Sequence, residues 1–241
     1  MAGDFLIGAN AGMTSSNCLT MKARALVAEF IGTFALVFVV FLTVTNFTGN
    51  PVQLLAVALA VGLEIMIMGT AFGPISGGHL NPSVTFGMLV ARKVDLATGI
   101  AYIISQCLGG IVAVFIASYL LGPNSEAART AVSINWGSGV DATRAILAEA
   151  VATFFFLIAI FMTAVDSRAP KVGGLYLGLT LTIGILAIGP ISGGAINPAV
   201  GLGMTVGSNH WATALSWSVG PLLGAGLAGL LYSGMLEKQE A

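Results

Sequence analysis

The sequence predicts an all-α membrane protein with six transmembrane helices and two re-entrant half-helices, arranged as an inverted 3+3 repeat. Three observations carry this prediction: the composition, six apolar stretches of spanning length, and an internal copy. Of 241 residues, 56% are hydrophobic and 8% are charged, against about 25% charged in soluble domains. The mean hydropathy is +0.96. A soluble fold could not hide that much apolar surface, whereas a lipid-embedded one need not. The 32 glycines suit helices whose backbones approach closely in a membrane. A net charge of −1 leaves no nucleic-acid footprint.

The six stretches run from Ala25 to Asn46, Val52 to Phe72, Leu96 to Leu121, Ala145 to Val165, Val172 to Gly189 and Trp211 to Leu236. Each is near the roughly 20 residues that cross the hydrocarbon core as a helix. The first twenty residues hold no long apolar run behind a basic start, so the first span is expected to act as its own membrane address rather than a cleaved leader. Two apolar pieces remain, Asn81 to Val90 and Asn197 to Val206, both too short to span. Each opens with Asn-Pro after a Gly-Gly pair. Asn at the cap and Pro at the first helical position is a strong helix start. Both read as half-helices dipping into the membrane, where irregular backbone is tolerated only against protein or a water-filled cavity.

The internal copy is direct. Gly73 to Leu89 reads GPISGGHLNPSVTFGML and Gly189 to Thr205 reads GPISGGAINPAVGLGMT, with eleven of seventeen positions identical. Ala28 to Phe41 and Ala148 to Phe161 match more weakly, each opening on Ala-Glu. Each half thus has three spans, with its half-helix between the second and third. Three is odd, so the second half is inverted relative to the first. The half-helices enter from opposite faces and their N-termini meet near the midplane. One channel domain is expected over 22–236, with repeats at about 22–121 and 143–236. Tails of 1–21 and 237–241 flank it. Lys22, Arg24, Arg92, Lys93, Arg168, Lys171 and Lys238 fall on one side, and only Arg129 and Arg144 on the other. The positive-inside rule then puts both termini in the cytoplasm.

Two helix N-termini facing one point make a positive patch of about half a charge each, which repels cations. Asn81 and Asn197 can each offer an amide N–H to a passing solute. A water held there oxygen-first interrupts a proton wire. Carbonyls of Gly77, Gly78 and His79, and of Gly193, Gly194 and Ala195, can line the approaches as acceptors. Central donors with acceptors on both arms suit an uncharged hydrogen-bonding solute. No catalytic group, cofactor or metal site is read; Cys18 and Cys107 sit in unlike contexts and suggest no disulfide framework.

At these residues the sequence resembles the major intrinsic protein family, the aquaporins and aquaglyceroporins. The resemblance rests on Asn81-Pro82-Ser83 and Asn197-Pro198-Ala199, each after Ser-Gly-Gly, and on Ala28-Glu29-Phe30 and Ala148-Glu149-Ala150. It covers about Lys22 to Leu236. It implies an aquaporin-like fold, one pore per protomer, a homotetramer in the cell membrane, and water and small neutral solutes as cargo. It also implies that Glu29 and Glu149 receive hydrogen bonds and support the Gly-rich loops.

By offset from the two asparagines, the family's narrowest ring falls on Val61, Ile185, Gly194 and Val200. Members usually carry Arg directly after the second Asn-Pro-Ala; here the residue is Val200. Water-selective members usually add an aromatic and a His; here Val61 and Ile185 stand instead. The ring is thus aliphatic, uncharged and expected to be wider. A bacterial subgroup associated with arsenic resistance is similar in having Val there. The departure points toward glycerol-like solutes, trivalent arsenite or methylarsenicals.

Glu64, three residues after Val61, is read two ways: as a carboxylate beside the ring, or as a buried acid bonded to a neighbouring helix. A rival class is a proton-coupled secondary transporter using Glu64 and His79, since such proteins also use inverted repeats and broken helices. The paired Asn-Pro caps argue against it, because they build a fixed site. An adhesive membrane protein lacks support, for no large extramembrane region is present.

Overall fold

The computed structural model describes residues 15–170 and 172–238. Lys171, the segment 1–14 of the expected N-terminal tail and the end of the C-terminal tail lie outside the described residues. Among the described residues are nine α-helices: α1 (Ser15–Phe47), α2 (Gln53–Ser76), α3 (Pro82–Val90), α4 (Leu96–Leu121), α5 (Ser125–Ala131), α6 (Ala142–Ile160), α7 (Leu175–Ser192), α8 (Pro198–Ser208) and α9 (Ala214–Leu231). Six of them, α1, α2, α4, α6, α7 and α9, are long and apolar enough to cross a membrane. The other three are α5 and the half-helices α3 and α8.

Helix ends follow local chemistry. The α4 cap is Asp95, whose side chain accepts from the Thr98 amide, and the α6 cap is Asp141, which accepts from the Arg144 amide. Helices α2 and α7 stop at Gly77 and Gly193, at φ of 93° and 94°. That left-handed region costs glycine little. Pro74 and Pro190 lie in the last turns just before these stops. Helix α1 begins well before the apolar run that starts at Ala25, because helix geometry continues outward through polar residues. Helix α5 was not expected; its sequence, SEAARTA, has no apolar run of spanning length.

The helices pair with internal symmetry. Helix α1 packs on α2 and α4, and α6 packs on α7 and α9 in the same way. The half-helices cross over: α8 packs on α4 of the first half, and α3 on α9 of the second. Besides these crossed pairs, the halves join through α2 and α7. There Gly62 and Gly178, separated by the same interval as Asn81 and Asn197, meet each other. A Cβ on Gly178 would lie 2.2 Å from the Gly62 carbonyl oxygen, and one on Gly62 would lie 2.7 Å from the Gly178 carbonyl oxygen. Only glycine lets these backbones come so close.

The chain closes on itself beyond the ends of α6 and α9. Both helices end in a single π-turn, Phe161–Val165 and Tyr232–Leu236. The first residues of the two turns, Phe161 and Tyr232, stack with centroids 4.5 Å apart and planes 6° apart. Arg168 binds the buried Asp166 with two hydrogen bonds, at 2.6 and 2.8 Å, and donates to the Leu236 carbonyl at 2.7 Å. Lys93, from the turn after α3, pairs with Glu237 and lies over the Tyr232 ring.

Candidate functional site

The centre of the molecule is where the N-termini of α3 and α8 meet. Asn81 caps α3, and its Oδ1 accepts from the Ser83 amide at 2.8 Å. Asn197 caps α8, and its Oδ1 accepts from the Ala199 amide at 2.9 Å. Pro82 and Pro198 fill the first helical positions, where a missing N–H costs nothing. Each amide nitrogen then reaches across. Asn81 Nδ2 donates to the Ile196 carbonyl at 3.1 Å, and Asn197 Nδ2 donates to the Leu80 carbonyl at 3.0 Å. The half-helices are thus tied head to head by reciprocal bonds. Each Nδ2 carries two protons and uses one here, so each asparagine keeps one donor.

The approaches to these caps are two copies of one backbone shape. Gly78 and Gly194 have φ of 62° and 67°, and Leu80 and Ile196 have φ of 50° and 53°. A β-branched residue at positive φ is a genuine outlier and persists only when its surroundings hold it. Two buried glutamates do the holding. Glu29 Oε1 accepts from Ser76 Oγ at 2.6 Å and from the His79 amide at 3.0 Å. Its Oε2 accepts from the Leu80 amide and from Gln106 Nε2, both at 2.7 Å. Glu149 Oε1 accepts from Ser192 Oγ at 2.7 Å and the Ala195 amide at 2.9 Å, and Oε2 from the Ile196 amide at 2.7 Å. The amides thus face the glutamates, not the centre. The His79 ring is buried against Thr85, with Nδ1 and Oγ1 3.1 Å apart, and edge-on to Tyr102.

Val61, Ile185, Gly194 and Val200 line one cavity of about 270 Å³. Gly193, Ala195 and Asn197 line it too; Asn81, Gly77, Gly78 and His79, on the other arm, do not. The remaining wall is largely aliphatic. Leu36, Val40 and Val44 form an i, i+4, i+8 stripe on α1, joined by Val57, Leu181 and Met204. Polar groups come from Gln53 and from the segment after α5, including Ser133 and Asn135. The reading by offset missed the α1 stripe, though its fourfold spacing was visible. It also missed the segment after α5, which has no motif to flag it. Among the described residues, no group of three or more His, Cys, Asp or Glu could hold a metal ion.

Glu64 is buried, and neither carboxyl oxygen has a protein partner. The reading in which it bonds to a neighbouring helix finds no bond in the structure.

Residues 16–232 match the family described as major intrinsic protein. The chain is 36% identical over 245 residues to aquaporin TIP4-4 of Zea mays, covering 98% of this chain and 94% of that protein. It is 35% identical over 219 residues to probable aquaporin TIP2-2 of Oryza sativa subsp. japonica, covering 87% and 86%. Its fold is similar to that of the aquaglyceroporin from Plasmodium falciparum, with a TM-score of 0.78 over 89% of this chain and 97% of that one, at 23% identity.

Proposed function

Since the chain belongs to the major intrinsic protein family and is an aquaporin-type membrane channel, not an enzyme, we propose that its cargo extends beyond water to uncharged solutes of glycerol size. The observation that carries this reading is the cavity that Val61, Ile185, Gly194 and Val200 share with Asn197. No side chain of that ring is charged or donates a hydrogen bond. An Arg in place of Val200 would add a positive charge and five donors. Without them the ring selects by size and leaves hydrogen-bond selection to the asparagines. Glycerol, urea, trivalent arsenite and trivalent methylarsenicals are uncharged near neutral pH and fall in this class.

In this reading Asn81 and Asn197 each turn their remaining amide proton to the lumen. The carbonyls of Gly77, Gly78 and His79, and of Gly193, Gly194 and Ala195, accept from the solute on either arm. Pro82, Ser83, Pro198 and Ala199 begin the two half-helices whose N-termini oppose cations. Glu29 and Glu149 fix the loops. The channel domain is 22–236, with tails 1–21 and 237–241. It assembles as a homotetramer in the cell membrane with both termini cytoplasmic. The Lys/Arg asymmetry supports that orientation.

Proteoliposomes holding the full chain test the reading. After a glycerol or urea step, reswelling should be faster than in empty vesicles. It should stop at equilibrium whether or not a pH gradient is imposed. Accumulation driven by the pH gradient would indicate a coupled transporter, and reswelling no faster than in empty vesicles would restrict the cargo to water.

A further inference from the structure

Val57 and Val61 line the cavity wall on α2. Glu64 continues the same helical stripe, at i, i+4 and i+7, one turn nearer the inner end. It is 7% exposed, and neither of its oxygens meets a protein hydrogen-bond partner. An unpaired buried acid is costly in a membrane interior. No other ionisable side chain lies on α2. Of the helices packed on α2, α1 has Lys22 and Arg24 at its exposed start, and Glu29, whose two oxygens are occupied. Helix α7 has only Tyr176, in its first turn and part-exposed. His79, in the loop after α2, is engaged by Thr85. No ionisable group of these elements is left to pair with Glu64, and the Thr33 hydroxyl of α1 is likewise buried without a partner. Glu64 does not line the cavity in its present rotamer, but Val57 and Val61, which precede it on the same stripe, do.

We propose that Glu64 is a specificity-determining residue whose carboxyl, by side-chain rotation, hydrogen-bonds hydroxyl groups of water and solute in the lumen between the aliphatic ring and the asparagine pair. The proposal rests on the channel reading above and deepens it. The ring at Val61 and Val200 has no donors, and the neutral acid supplies one donor and one acceptor just past it. The carboxylate form only accepts. The donor is therefore present only while the group is neutral, so the glycerol-to-water ratio changes as pH passes through its ionisation.

The test is stopped-flow water and glycerol permeability of the full chain in proteoliposomes, for the parent, Glu64→Gln and Glu64→Leu, across pH. Glu64→Leu should lower the glycerol-to-water ratio several-fold, the loss of about one hydrogen bond. Glu64→Gln, which donates and accepts but cannot ionise, should restore most of the ratio and flatten the pH profile. The same ratio and pH profile in all three proteins would overturn the role of Glu64 while leaving the channel's cargo standing. A parent that passes no glycerol would overturn the cargo reading instead. The pH profile of water flux then decides on Glu64, with a profile flattened by Glu64→Gln supporting it and one unchanged by Glu64→Gln overturning it.

Discussion

Glu149 accepts three hydrogen bonds, from Ser192, Ala195 and Ile196. Its neutral amide analogue has only one acceptor oxygen, so Glu149→Gln strands at least one backbone donor beneath a strained loop. The expected cost is about 1–3 kcal/mol, read as a lower Tm in detergent. Ser192→Ala removes one donor to Glu149 and the long 3.3 Å bond from the Gly194 amide but leaves both backbone bonds to Glu149, and should cost less. Glu64 predicts the opposite sign. It has no protein partner to lose, so Glu64→Leu removes an unsatisfied polar group and should raise the Tm. A lower Tm would show that a partner holds the carboxyl in the folded protein. Stability given up at one buried acid is what a functional group is expected to show.

Helix contacts turn on glycine. A Cβ on Gly178 would press 2.2 Å from the Gly62 carbonyl oxygen, and backbone cannot yield as a side chain can. Gly178→Ala should therefore destabilise by about 1–3 kcal/mol, while Gly234→Ala, with nothing within 4 Å, should be close to neutral. Thermal unfolding of both variants in detergent checks the contrast. Where α6 and α9 end, hydrogen bonds from Arg168 hold the Asp166 carboxyl down at about 2, below the ordinary value near about 3.9. The folded value is the lower one, so the stabilisation is complete above the ordinary range and fades as pH falls from about 4 toward about 2. Asp166→Asn should lower the Tm at neutral pH and leave it unchanged at the acid end. A gap that persists in acid would mean that packing, not charge, holds this corner. The spans and half-helices were legible because 20-residue apolar runs and Asn-Pro caps are local signals. The offset between Asn81 and Asn197 also held the Gly62–Gly178 contact, but only the fold shows that these glycines touch. Helix α5 and the π-turns were not legible, for SEAARTA and FMTAV carry no period or cap that marks them. The crossed bonds from Asn81 to Ile196 and from Asn197 to Leu80 depend on two loops far apart in sequence, and no spacing rule reports them.

At the scale of the whole molecule, two half-helices from opposite halves place their caps against each other, and one aliphatic cavity runs to Asn197. Their macrodipoles put partial positive charge at the junction, which fits a pore for neutral cargo. Asn197→Asp would lose the bond to the Leu80 carbonyl and place a negative charge there. It should let small cations leak, seen as a membrane current that the parent lacks. The central claim is that selection by size lies in the proposed ring of Val61, Ile185, Gly194 and Val200. The measurement that tests it most directly is the ratio of glycerol to water permeability, by stopped-flow light scattering, for the parent and Val200→Arg in proteoliposomes. The account predicts that the Arg variant, with a narrower and charged ring, loses most glycerol flux while water flux falls less. An unchanged ratio between the two proteins would contradict it and move selectivity out of the ring.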